Sequence, residues 1–420
     1  MQAERTRPTE LEVVPFDPFA AALPLRWVRR VPAPGVALIL VVLVVTVFVL
    51  GAAMAGMLGT ARDFQPVADL QRALGENDIR PDQPFGYPLT RDVPVWFFAA
   101  IMVTQVLIMR SQWRLFSTGL PKLVRMGVLR PGEADPTEAL ADAPTLRWLA
   151  AVPAERRLAE YVSRINAANA RRARSYTALF VVLALALAAG LMWAERYGGL
   201  FRVLAPEGIS PAAQERWRQA AYQNWWATLG RPAGAIAYFL LAAIAIYFII
   251  AQTHIGIWTS RIAAALPRLV TVDANWINPD GDYGWGALRQ IFRLVWVSMA
   301  LYGLLVSGLA LVLGLGNVGW VPAAIWLLLV MIYFGVPWVA LRTIQTTAQE
   351  RHIFAAMNEA GDSMSTVEQD ALAERVGRYR TTRIQPMRLG RFERFPVGIS
   401  VLLPFVLNLA QPVIETLWLR

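Results

Sequence analysis

The chain has 420 residues, 56% of them hydrophobic and only 17% charged, and 40 lysines and arginines against 30 acids give a formal net charge of +10. It has no cysteine and two histidines, His254 and His352, which excludes disulfides, thiolate metal sites and a zinc site built on several imidazoles. Soluble domains average about 25% charged residues; here the deficit falls in apolar runs long enough to cross a bilayer, which predicts an all-α polytopic membrane protein whose arginines meet anionic lipid headgroups, not nucleic acid.

Six spans are expected, each long enough for a hydrocarbon core of about 30 Å at about 1.5 Å per residue. Residues 1–34 form a cytoplasmic segment carrying Arg5, Arg7, Arg26, Arg29 and Arg30. With Glu4, Glu10, Glu12 and Asp17 it is too long and too acidic for a signal peptide, so span one (35–58) is expected to be retained. Residues 35–109 hold spans one and two (93–109), joined by an acidic external loop. Residues 110–175 form a basic cytoplasmic helical region. Its end, "PAERRLAEYVSRINAANARRARS", runs without Gly into span three (176–193), predicting one helix of about forty residues, roughly 60 Å.

Residues 176–340 hold spans three to six. After span three, "SPAAQERWRQAAYQNWWATLG" offers Ser210 as N-cap and Pro211 at the first helical position. Its Trp217, Tyr222, Trp225 and Trp226 predict an interfacial helix with indoles at headgroup level. Span four covers 233–251, and His254 is expected to be a helix-end residue. Spans five and six cover 292–315 and 321–340. Residues 341–394 form a second cytoplasmic helical region, with Gly361 expected as a C-cap. There "STVE" forms a capping box from Ser365 and Glu368, and the stripe Val367, Ala371, Leu372, Val376 and Tyr379 needs a partner among the extensions of spans three and six. Pro396, Pro404 and Pro412 break the apolar tail 395–420 into a re-entrant, membrane-packed segment, with a seventh, kinked span as the alternative.

Arginine placement sets the orientation. Twelve basic residues separate spans two and three and nine lie between 342 and 394, whereas residues 60–92 carry six acids against four arginines; the 194–231 loop, external by parity, carries five arginines and fits least well. This predicts a cytoplasmic N-terminus in an inner membrane.

Candidate chemistry is sparse. In "NPDGDYGWG", Asn278, Asp280 and Asp282 place three oxygen ligands at alternate positions, as a divalent-cation loop does, but Gly281 and the missing downstream Glu depart from the EF-hand pattern. "NPDG" is equally a strong turn sequence. The stretch 221–290, with "YQNWWATLGRP", "QTHIGIWTSRIAAALPRLV" and "NPDGDYGWGALRQ", resembles a group of uncharacterised bacterial multi-spanning inner-membrane proteins. Asn278 stands where their loop usually has His. The resemblance implies a folded loop and transfers no activity.

No catalytic residue, bound cofactor or motif such as a Walker A loop or His-Glu-x-x-His is evident. The membrane-depth polar candidates are Gln105, Ser298, Ser307 and, if the tail enters the bilayer, Glu415. Small-residue pairs Ala52/Gly56, Gly303/Ser307 and Ala310/Gly314 favour close helix packing, within the chain or in a homo-oligomer. The functional classes left open are an oligomeric channel or pore, a non-transporting scaffold or signalling anchor, and a divalent-cation-dependent membrane enzyme.

Overall fold

The computed structural model describes residues 14–59, 87–130, 140, 143–197, 201, 210–272, 284–313, 324, 327–331, 335–358 and 365–381. The helices are α1 (Arg26–Arg30), α2 (Ala33–Met54), α3 (Val93–Arg125), α4 (Arg157–Tyr197), α5 (Pro211–Gln223), α6 (Pro232–Leu269), α7 (Gly286–Leu313), α8 (Val336–Asn358) and α9 (Thr366–Thr381). Among the described residues, five helices are long and apolar enough to cross a membrane: α2, α3, α4, α6 and α7. Eight of the twenty residues of the sixth expected span (321–323, 325–326 and 332–334) and the whole tail 395–420 lie outside the described residues.

Periodicity explains which faces pack. α2 is apolar all round, so it can be wetted by lipid on one side and by protein on the other. Val36, Leu40, Val44, Phe48 and Ala52 are buried, while Leu38, Val41, Val42 and Val45 are exposed. α4 does the same with Phe180, Ala184 and Ala188 inside and Leu179, Val182 and Leu187 outside. These exposed rows are apolar enough to face lipid.

α6 is the central element. It packs against α2, α3, α4 and α8. A Cβ on Gly51 of α2 would overlap the Ala237 side chain, so the two helices touch along small residues.

The expected helix of about forty residues is present as α4, 41 residues long. Two other helices are longer than hydropathy suggests. α3 continues to Arg125 and α6 to Leu269. Hydropathy falls after Met109 and Ala251, but an amphipathic stripe persists. Trp113, Phe116, Leu120 and Leu123 stay buried on α3, and Ile255, Ile262, Leu266 and Leu269 on α6. His254 therefore lies within α6, with its ring 4.5 Å from that of Tyr176 and its Nε2 accepting from Trp258 Nε1 at 3.1 Å.

The overrun builds a folded layer at the arginine-rich end of the bundle, the basic end. Residues 15–31 pack into it instead of trailing as a leader. Asp17 N–H donates to Asn166 Oδ1 at 2.9 Å, Phe19 meets Trp113 edge-on at 5.0 Å, and Arg110 donates to the carbonyls of Val28 and Val31 at 2.9 and 2.6 Å. After α3, strand β1 (Leu129–Arg130) pairs antiparallel with β2 (Thr271–Val272), a small departure from an all-α chain. α9 packs against α8. Its capping box is formed: Ser365 N–H donates to Glu368 Oε2 at 2.9 Å, and Ser365 holds the Glu368 carboxyl below its ordinary value. Its apolar stripe is only partly covered, since Val367 stays 76% exposed while Leu372 and Val376 are half-buried. Gly361 lies outside the described residues.

Gly56 does not pack against another helix. At φ 67° it ends α2 in a Schellman motif, with Gly56 N–H donating to Ala53 O and Met57 N–H to Ala52 O at 3.0 and 2.8 Å. Gly127, φ 70°, ends α3 in the same way at the opposite end of the bundle.

Candidate functional site

At the end opposite the basic layer, the Gly56 turn that closes α2 meets the segment that leads into α3. Leu89 N–H donates to Met57 O at 3.2 Å. Tyr87 then pairs with the chain between α5 and α6: its N–H donates to Asn224 O at 2.9 Å, and Trp226 N–H donates to its carbonyl at 3.0 Å. This sets Trp225 and Trp226 over the start of α3, where Asp92 is the N-cap.

Asp92 is 0% exposed. Its Oδ1 accepts from Val95 N–H at 3.2 Å, and its Oδ2 accepts from the indoles of Trp225 and Trp226 at 2.7 and 2.8 Å. Burial pushes its carboxyl up to about 6, against the opposing pull of these three donors. Burial and the Asp92 charge also raise the Tyr87 hydroxyl. An aromatic box closes the site: Phe48 meets Trp226 at 5.3 Å, and Tyr238 meets Trp225 at 5.1 Å. α6 begins so close to Trp226 that a Cβ on Gly234 would overlap the Trp226 carbonyl. Chemically, the site holds a proton below about pH 6 and a charge above it.

These indoles were expected at headgroup level. They are instead buried in protein, because Trp225 and Trp226 find an internal acceptor that lipid headgroups would otherwise have to supply.

Two of the polar residues singled out in the spans come together. Gln105 of α3 donates from Nε2 to Ser298 Oγ of α7 at 2.6 Å, and both are buried. Tyr302, one turn beyond Ser298, is buried too. Ser307 does not join them; its hydroxyl donates to Gly303 O of its own helix at 2.6 Å. Asn278, Asp280, Asp282 and Glu415 lie outside the described residues, so the candidate cation loop is not part of this geometry. Among the described residues, no group of three His, Cys, Asp or Glu side chains could hold a metal ion.

A third cluster escaped the sequence reading. Trp113 Nε1 donates to Gln252 Oε1 at 2.7 Å, and Gln252 Nε2 donates to Gln112 Oε1 at 2.6 Å, all buried between α3 and α6. Beside it an apolar cavity of about 80 Å³ is lined by Gly119, Leu120, Gly256, Leu266 and Phe292. The signal was present: Gln112 and Trp113 prolong the buried stripe past Met109.

No family model, curated protein or solved structure matches the chain.

Proposed function

We propose that the chain is an integral membrane scaffold that carries a folded, arginine-rich platform on one side of the bilayer, without chemistry of its own. The observation that supports this is the shared overrun of α3, α4 and α6. At 33, 41 and 38 residues they measure about 50, 60 and 57 Å, against a hydrocarbon core of about 30 Å. Much of the surplus lies at the basic end, where residues 15–31, the β1–β2 pair and α8–α9 complete the layer. The excess of arginine at that end supports a cytoplasmic layer, and the resemblance of residues 221–290 supports a bacterial inner membrane.

A second reading, a pore-like oligomer, draws on the Gln105–Ser298 contact at membrane depth. The loop that a divalent-cation enzyme would use, 278–282, lies outside the described residues.

The cysteine-free chain makes sidedness direct to test. A single thiol at Gly230 should react with an impermeant maleimide only from outside, and one at Asp370 only from inside; the reverse pattern overturns the orientation. Proteoliposomes should pass no ions or small solutes under changes of voltage, pH or calcium. Saturable flux abolished by Gln105→Leu would replace the scaffold with the pore.

A further inference from the structure

Two stretches far apart in sequence bring arginines to the same border. Asn166 Nδ2 donates to Pro15 O at 2.8 Å, and Leu23 N–H donates to Thr177 Oγ1 at 3.1 Å, so residues 15–23 run along α4 from Asn166 to Thr177. α1 follows at once. Its Val28 is buried, Trp27 packs against the core, and Arg26 and Arg30 are exposed on one face at i, i+4 spacing. On α4, Arg174 is exposed one turn before Thr177 and roughly 60° round the helix from it. Just beyond this level both stretches turn to hydrocarbon: α4 exposes Leu179, Val182 and Leu183, and α2 exposes Leu38, Val41 and Val42.

We infer that Arg26, Arg30 and Arg174 form a binding site for the headgroup of an anionic phospholipid whose chains lie along the exposed faces of α2 and α4. The charge is available. Arg29 is held by Asp17 at 3.2 Å, whereas Arg26, Arg30 and Arg174 have no carboxylate partner among the described residues. The occupant follows from position. A phosphate bound here has apolar side chains directly beyond it, which a tethered acyl chain covers and a free phosphate does not. Half-buried Trp27 lies at the same level, where an indole is favoured between apolar body and wet border. Arg172 serves as an internal control: it is equally exposed at nearly the same depth, but stands roughly 140° round α4 from Thr177, away from α1.

This site deepens the scaffold reading, but its test in detergent is independent of sidedness and of flux. The full chain in a neutral detergent is titrated with short-chain phosphatidylglycerol, short-chain phosphatidylcholine and inorganic phosphate, following thermal unfolding by tryptophan emission. Phosphatidylglycerol should raise the midpoint saturably and the other two should not. Arg26→Gln with Arg174→Gln should weaken that binding about tenfold or more, and Arg172→Gln by less than about twofold. Should the double variant unfold before lipid is added, Arg30→Gln carries the same comparison. The site is overturned by an equal response to phosphatidylcholine, by an equal response to inorganic phosphate, by undiminished binding in the variants, or by an Arg172→Gln loss as large as theirs, which is diffuse surface charge only.

Discussion

The two ends of the bundle are held by opposite chemistry. At the Asp92 end one buried carboxylate gathers three donors from two places in the chain: the adjacent indoles of Trp225 and Trp226 and the first turn of α3. At the basic end one buried guanidinium, Arg110, gathers acceptors, the carbonyls of Val28 and Val31. The contrast lies in what each charge can become. An arginine stays charged at any physiological pH, so the basic end has one electrostatic state. Asp92 titrates near 6 and has two.

Perturbing each clamp in turn sharpens that contrast. The largest effect is expected from Gly234→Ala, because its new Cβ meets the Trp226 backbone carbonyl, which is not the end of a flexible side chain. It should cost roughly 3 kcal/mol or more and red-shift tryptophan emission as the aromatic box opens; a native midpoint and spectrum would show that α6 can slide. Asp92→Ala leaves three buried donors without their acceptor and should cost about 3 kcal/mol in detergent unfolding. A near-zero cost would mean that the box packs without its anion.

The pH dependence comes next. The native carboxyl titrates at about 6 and the unfolded one near 3.9, so between those values the folded state binds more protons. The Asp92 contribution to stability is therefore greatest at low pH, falls as pH rises to about 6, and is level above it. Measured as the difference between the parent and Asp92→Asn, the fall should be about 2 to 3 kcal/mol. A flat difference would show that the indoles fully offset burial. At the other end, Arg110→Met should cost about 2 kcal/mol with no pH dependence between 4 and 8, read from the same unfolding curves. The smallest effect belongs to Asp17→Leu measured through its pair with Arg29, 36% and 62% exposed, where a double-mutant cycle should give a coupling below about 0.5 kcal/mol.

What could be read in advance follows from where the information lies. The length of α4 was legible because its stripe from Leu158 to Phe180 runs unbroken by Gly or Pro. The capping box of α9 is a local four-residue signal. The ends of α3 and α6 were misjudged because hydropathy drops at Arg110 and near His254, while the helical period of buried residues does not. Gln105 and Ser298 stood out as rare polar residues in apolar runs, though nothing local said that they touch across two helices. Asp92 was hidden. It is one of six acids in residues 60–92, and only packing against Trp225 and Trp226, more than a hundred positions away, distinguishes it.

α6 carries a consequence of its own. Gly234 near its start fits under Trp226, Ala237 meets Gly51, and Gln252 five turns on accepts a hydrogen bond from the Trp113 indole. One uninterrupted rod thus keys into its neighbours at two heights, so its twist is locked in phase at both. Adding or deleting a single residue between 238 and 251 would turn one half by about 100° against the other. The segment tolerates exchange of side chains far better than a change in their number, and whatever strains one end of the molecule is felt as torque at the other.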